Sequence, residues 1–220
     1  MHLGKSYKVS EFIVWTRRQI YLLLAVAVVP VVLYTVFGLR WMTLPLAVVG
    51  LLGTATSFIV GFKNVQTYNR TTDAQQLWTA ILGSSRFWST SVQNYGLGPG
   101  EARELVARHL AWLTWLRSEL RTSRPWETHN KPSHAEYRHR RFRIPEHETP
   151  LEEALREQLS PAELRRVLDA EDKALQVLWL QGLGLKRLLD EGHLTLTLHI
   201  ELNKLLKEFI GQQGHAERIK

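Results

Sequence analysis

The chain has 220 residues, with 28 Lys and Arg against 21 Asp and Glu for a net charge of +7, and it contains no Cys. The lack of Cys excludes disulfides and cysteine-ligated zinc or iron–sulfur sites, and the length allows one or two domains with a real core. The basic balance admits nucleic acid, anionic lipid or small anions as partners, while the mean hydropathy of -0.17 averages two apolar runs against a highly charged remainder.

Residues 1–18 read as a short interfacial segment leading into the first of those runs. Ile20 to Phe37 is 18 residues without a charge and Leu44 to Phe62 is 19. As helices they span about 27–29 Å, close to the ~30 Å hydrocarbon core of a bilayer. The first run is too long for a signal peptide and no A-x-A-like site follows it, so two transmembrane helices are expected at about 20–37 and 44–62. Pro30 falls mid-span, where neighbours must satisfy the freed carbonyl, and Pro45 falls in the first turn of the second span, where a missing N–H costs little. The short link Gly38-Leu39-Arg40-Trp41-Met42-Thr43 makes the pair an antiparallel hairpin. Lys5, Lys8, Arg17 and Arg18 before it and Lys63 and Arg70 after it outweigh the single Arg40 in the link. The positive-inside rule therefore puts both termini in the cytoplasm.

The helical pattern does not stop at the membrane edge. Leu77, Trp78, Ile81, Leu82, Phe87 and Trp88 keep apolar residues at spacings of three and four as far as Tyr95, where Gly96-Leu97-Gly98-Pro99-Gly100 breaks the chain. A further amphipathic helix is expected over Glu101–Arg121, acidic at its start and basic in its last turns. Residues 122–150 carry Pro125, Pro132, Pro145 and Pro150 and read as a long polar loop. Two short helices follow at Leu151–Leu159 and Pro161–Leu168, the second capped by Ser160. A long one runs over Asp169–Asp190, Gly192 ends it, and the last spans Leu194–Ile210. Neither strand pattern nor internal repeat is present, so the fold is all-α, with a cytosolic helical domain over residues 63–220.

Enzyme signatures are absent: there is no G-x-S-x-G, Walker A loop, H-E-x-x-H or dinucleotide glycine pattern. His129, His134, His139 and His147 lie in the polar loop without tight ligand spacing, and His193 and His199 are too far apart for one helix face. The histidines are read as solvated surface groups, and no metal site, cofactor or catalytic residue is expected. The basic run Tyr137-Arg138-His139-Arg140-Arg141-Phe142-Arg143 reads as a solvated, lipid-directed or subunit-facing stretch; no nucleic-acid partner is expected.

The second span carries the most information. With Thr54 at zero on a helical wheel, Phe58 falls near about 40° and Phe62 near about 80°, one ridge at i, i+4 and i+8. Gly50, Gly53, Ser57 and Gly61 form a small-residue face beside it, of the kind that lets helix backbones approach closely in lipid. Either that face packs on the first span and the phenylalanines meet lipid, or several copies assemble through it and the ridge points at their common axis. In the second case Val65, Asn69 and Thr72 continue the line below the ridge. That arrangement is a narrow apolar neck over a polar vestibule, and such a neck can gate ions by dewetting.

Several stretches resemble the prokaryotic bestrophins. Gly61-Phe62-Lys63-Asn64, Tyr68-Asn69-Arg70, Leu77-Trp78 and Ser84-Ser85-Arg86 are similar to the family's G-F-[RK]-N-N-x-x-Y-D-R-W-W-E-A-R-x-x-W-G followed by N-x-S-R. Gln213-Gly214-His215-Ala216-Glu217-Arg218-Ile219-Lys220 is similar to its G-x-C-E-R-I-x-x-T-P. The resemblance implies a homopentameric ion channel of the prokaryotic inner membrane, without an evident ligand- or voltage-sensing element. It implies partners in membrane lipid and permeant ions, with the second span lining a neck at Thr54, Phe58 and Phe62. It also implies a cytosolic pore exit near His193–Thr197, with Leu194 or Leu196 as its side chain. Gly61, Asn64, Tyr68, Arg70, Trp78, Arg86, Glu217 and Arg218 are then the family's motif positions. Thr54 replaces a larger aliphatic residue, and Thr71-Thr72-Asp73 replaces Trp-Trp-Glu. The family's two further membrane helices, and the acidic calcium clasp of its animal members, are expected to fall past residue 220. Passive chloride conduction is the leading expectation. A cation (sodium) channel of the same fold, or a non-conducting membrane scaffold or sensor that binds a cytosolic partner, are the alternatives.

Overall fold

The computed structural model describes residues 9–43, 45–94, 97–122 and 150–220. The expected polar loop, with its basic run and four of the histidines, lies outside the described residues. All regular elements among the described residues are helical: α1 (Val9–Thr35), a 3-10 turn (Arg40–Met42), α2 (Leu46–Asn94), α3 (Pro99–Arg121), α4 (Leu151–Arg156), α5 (Pro161–Asp169), α6 (Lys173–Asp190) and α7 (Leu196–Ile219). By chain contacts they divide into two units, residues 1–63 with 123–143 and residues 64–122 with 144–220.

In the first unit, α1 begins at Val9, so residues 9–18 are helical and continuous with the first long apolar run. It runs through Pro30 without a break. Among the described residues, two helices are long and apolar enough to cross a membrane, over Thr16–Thr35 and within Leu46–Asn94. Pro45 sits just ahead of α2, and its carbonyl accepts from the N–H of Val48 and Val49 at 3.0 and 3.3 Å. The proline thus anchors the first turn at no cost in hydrogen bonds.

α2 is 49 residues long, about 74 Å at the α-helical rise, more than twice a bilayer's hydrocarbon thickness. No proline interrupts it, and Gly61 is tolerated inside it.

The second unit holds the core. Trp88, Trp112 and Phe209 are fully buried, with Leu105, Leu116, Leu155, Leu185, Leu188 and Leu202 around them. α6 packs against α3, α5 and α7, and α4 joins α3 to α5. Local signals fix the helix ends. Ser160 accepts from the Glu163 N–H with Pro161 at the first position, Asp172 caps α6 through the Leu175 N–H at 2.9 Å, and Thr195 caps α7. Gly192 takes a left-handed φ of 79°, which lets the His193 N–H turn back to the Leu188 carbonyl at 2.9 Å and close α6. α7 runs nine residues past the expected end at Ile210, to Ile219. Gly211 and Gly214 are poor helix formers, but Gln212, Gln213 and Ala216 are buried, and this packing outweighs the glycines' ~1 kcal/mol propensity cost.

Candidate functional site

The span portion of α2 presents its side chains outward: Phe58 and Phe62 are 64% and 65% exposed. Their i, i+4 spacing stacks the rings, with centroids 6.3 Å apart and 29° between planes, so the two form one aromatic ridge. One turn earlier the Thr54 hydroxyl donates to the Gly50 carbonyl at 2.9 Å. That bond hides its proton in the helix and leaves a methyl and an oxygen facing out. The small face beside the ridge is open. A Cβ placed on Gly50, Gly53 or Gly61 would meet nothing within 4 Å, so among the described residues α1 does not cover it.

In the second unit the same helix is pinned on one side. Leu77, Ile81, Ser84, Trp88, Ser91 and Val92 are its buried residues, recurring at three and four. Trp88 meets Phe209 edge-on at 5.9 Å. Ser84 donates to Glu208 at 2.5 Å and accepts from the Gln212 amide at 2.9 Å. Ser85 pairs with His109 Nε2 at 2.9 Å. These contacts fix the rotation of this stretch, so that Asn69, Gln76, Thr79 and Thr90 stand exposed on the opposite side.

The motif positions share out between structure and surface. The Arg70 guanidinium donates to the Lys220 backbone oxygen at 2.5 Å, 150 residues away. Beside that bond lies a cleft of about 380 Å³ lined by Leu77, Trp78, Leu120, Ala216 and Ile219. The Lys220 ammonium donates to the Glu119 carbonyl at 2.8 Å and to that of Thr122, closing the C-terminal end of α3. Glu217 accepts from Gln213 at 3.0 Å. Asn64, Tyr68, Arg86 and Arg218 are exposed and Trp78 is 45% exposed. The two resembling stretches thus meet at Arg70 and Lys220.

Leu194 and Leu196 part company. Leu194 is 4% exposed and belongs to the core, while Leu196 is 63% exposed at the start of α7. The intervening Thr195 is the helix cap. Next to them His193 Nδ1 lies 2.6 Å from Glu101, and that hydrogen bond holds the Glu101 carboxyl below its usual range. Glu101, Glu191 and His193 place ligand atoms within 4.8 Å of one another, the composition that could hold a metal ion among the described residues. A gap of 92 residues separates His193 from Glu101, which is why spacing in the sequence gave no sign of the pair.

His109 corrects the reading of the histidines as solvated. It is 4% exposed, with ring centroids of Phe209, Trp112 and Trp88 at 4.6, 5.4 and 6.1 Å. Burial pushes its pKa down to about 4, and its Nδ1 has no hydrogen-bond partner among the described residues. The available signal was its place between Leu105, Trp112 and Leu116 on the apolar face of α3. Below it Arg108 bonds Glu163 at 2.6 Å and also Glu104, and Glu104 in turn holds Arg187 at 3.1 Å.

A family model described as Bacterial/Fungal Bestrophin protein matches residues 10–220. The chain belongs to this family. Among bestrophins of known structure, two homologs from Klebsiella pneumoniae, each carrying a point mutation, superimpose with TM-scores of 0.71 and 0.72. Their identities are 20% and 21%, covering 94% and 92% of this chain and 67% and 66% of theirs. The all-helical architecture is thus the bestrophin fold. The chain is 25% identical over 186 residues to the voltage-dependent anion channel-forming protein YneE of Escherichia coli K12, covering 84% of this chain and 52% of that one. It is 29% identical over 119 residues to voltage-dependent anion channel-forming protein mll4386 of Mesorhizobium japonicum, covering 47% of this chain and 38% of that one. The chain spans about half the length of the E. coli relative. Family membership and the two apolar helices make it a membrane protein.

Proposed function

We propose that the protein is one subunit of a passive anion channel, whose pathway is lined by α2 and narrowest at Thr54, Phe58 and Phe62. The observation that carries this reading is α2 itself: an unbroken 49-residue helix whose cytosolic stretch is pinned on one face and exposed on the other. A single subunit cannot enclose a pathway with one helix. A homopentamer assembled through the open small face of Gly50, Gly53 and Gly61 would turn the ridges toward a shared axis. Two adjoining phenylalanine rings per subunit would then form an apolar neck that passes ions only when wetted, and ring edges turned inward carry the partial positive charge that suits anions. The relatives described as anion channel-forming support the sign of the ion.

No catalytic step, metal or cofactor enters this reading; conduction follows the ion's gradient. The subunit sits in a prokaryotic inner membrane, contacting lipid through its spans, with both termini cytoplasmic. At the cytosolic exit Leu196 carries the role, since its side chain is free and that of Leu194 is committed to the core. The test is conductance of the reconstituted protein in planar bilayers. Phe58→Ala combined with Phe62→Ala is expected to raise single-channel conductance severalfold, because a wider and wetter neck lowers the barrier. Unchanged currents would remove the neck, and a native mass in detergent corresponding to a monomer or dimer would remove the pore.

A further inference from the structure

On the exposed side of α2 in the second unit, the helix carries a stripe without carboxylates. Asn69, Thr72, Gln76, Thr79 and Thr90 lie within about 80° of one another on the wheel, Thr72 half-buried and the others exposed at the unpinned face described above. Arg86 lies on the same side, about 40° from Thr72. It is exposed and forms no ion pair among the described residues. The other charges of this stretch stand elsewhere: Arg70 is turned to the Lys220 backbone oxygen, about 160° from Thr72, and Asp73 stands about 100° from it. Across about six turns of helix, Arg86 is therefore the stripe's one permanent charge.

The stripe's other polar groups do not select anions. The Thr79 and Thr90 hydroxyls donate back to the Gln75 and Arg86 carbonyls at 2.9 and 2.8 Å. Their protons are consumed inside the helix, so the oxygens they turn outward are acceptors. The exposed Asn69 and Gln76 amides offer an acceptor oxygen and a donor NH2 alike, so they favour neither sign of ion. A fixed guanidinium at this height tips that balance toward anions, because it stays charged at every physiological pH and symmetry multiplies it around the axis.

Resting on the reading of α2 as the pore helix, we infer that Arg86 is the selectivity-determining residue of the cytosolic vestibule. It forms a cationic belt that concentrates anions beneath the neck. The neck decides whether ions pass; Arg86 decides which sign arrives. Because the effect is electrostatic at a distance, it depends on salt: the screening length is about 30 Å at ~0.01 M and about 3 Å at ~1 M.

The test uses the purified full chain in planar bilayers with sodium chloride gradients. Wild type, Arg86→Lys, Arg86→Gln and Arg86→Glu are compared beside the neck variant Phe58→Ala. Arg86→Gln is expected to lower chloride conductance about fivefold at ~0.01 M salt and by less than about 1.5-fold at ~1 M. Arg86→Glu moves the reversal potential toward the sodium potential, and Arg86→Lys stays near wild type. Arg86→Gln and Arg86→Glu channels that match wild type at low salt, while Phe58→Ala still alters conductance, overturn the role of Arg86 and leave the pore standing. Loss of every effect, Phe58→Ala included, overturns the pore reading itself and this inference with it.

Discussion

Two stretches of one helix obey different rules. From Leu46 to Lys63, α2 buries nothing against its own chain; from Leu77 to Val92 it buries a residue every three or four. In water, an apolar stripe on a helix is driven into a core at about 25 cal/mol per Å², and Leu77, Ile81 and Trp88 show that stripe. In lipid no such drive exists, because the tails are as apolar as the side chains. The informative pattern there is the small face of Gly50, Gly53 and Gly61 and the ridge beside it. The pinned stretch is held to its core by that stripe, and the unpinned one carries the proposed neck.

The sharpest way to break this contrast is to make the same truncation in both places. Phe209→Ala, which empties the aromatic cluster of Trp88, His109 and Trp112, is expected to cost about 3–5 kcal/mol. Phe58→Ala, on an exposed ring, is expected to cost less than about 0.5 kcal/mol. Denaturant titration of both in detergent, followed by tryptophan fluorescence, checks the pair. Equal losses would mean that the ridge is structural.

A smaller effect, confined to the pinned stretch, comes from pH. His109 is held neutral by burial, its pKa lowered from 6.5 to about 4. The unfolded chain therefore binds a proton that the folded one refuses, and stability falls as pH drops from about 6.5 toward about 4. The shift corresponds to about 3 kcal/mol over that window. His109→Gln, which keeps a partner for Ser85, is expected to flatten this dependence. An unchanged slope would place the titrating group elsewhere.

What the sequence disclosed follows from how far each determinant reaches. The two long apolar helices, the cap at Ser160 and the stop at Gly192 depend on residues a few positions apart, and all were legible. So was the unbroken course of α2, because nothing between Leu46 and Asn94 opposes a helix. The end of α7 was not, since Gly211 and Gly214 are poor helix formers overruled by distant packing of Gln212, Gln213 and Ala216. His109 looked like the other histidines until its aromatic neighbours, up to 100 residues away in Phe209, were in place. Leu194 and Leu196 share a sequence environment, and only the cap at Thr195 turns one inward and the other out. The pairing of Phe58 with Phe62 was readable from the wheel, because residues four apart share a helix face, whereas the openness of the small face depends on where α1 lies.

The most direct measurement uses the chain's lack of native cysteine. Single cysteines introduced along α2 in the reconstituted protein are exposed to a membrane-impermeant thiol reagent while current is recorded. Block is expected at Asn69→Cys, Thr72→Cys, Gln76→Cys and Thr79→Cys, with protection at Leu77→Cys, Ile81→Cys and Trp88→Cys, which reproduces the helix's unpinned face. Block that follows no helical period, or that falls on the pinned face, would contradict the assignment of α2 as the lining of the pathway.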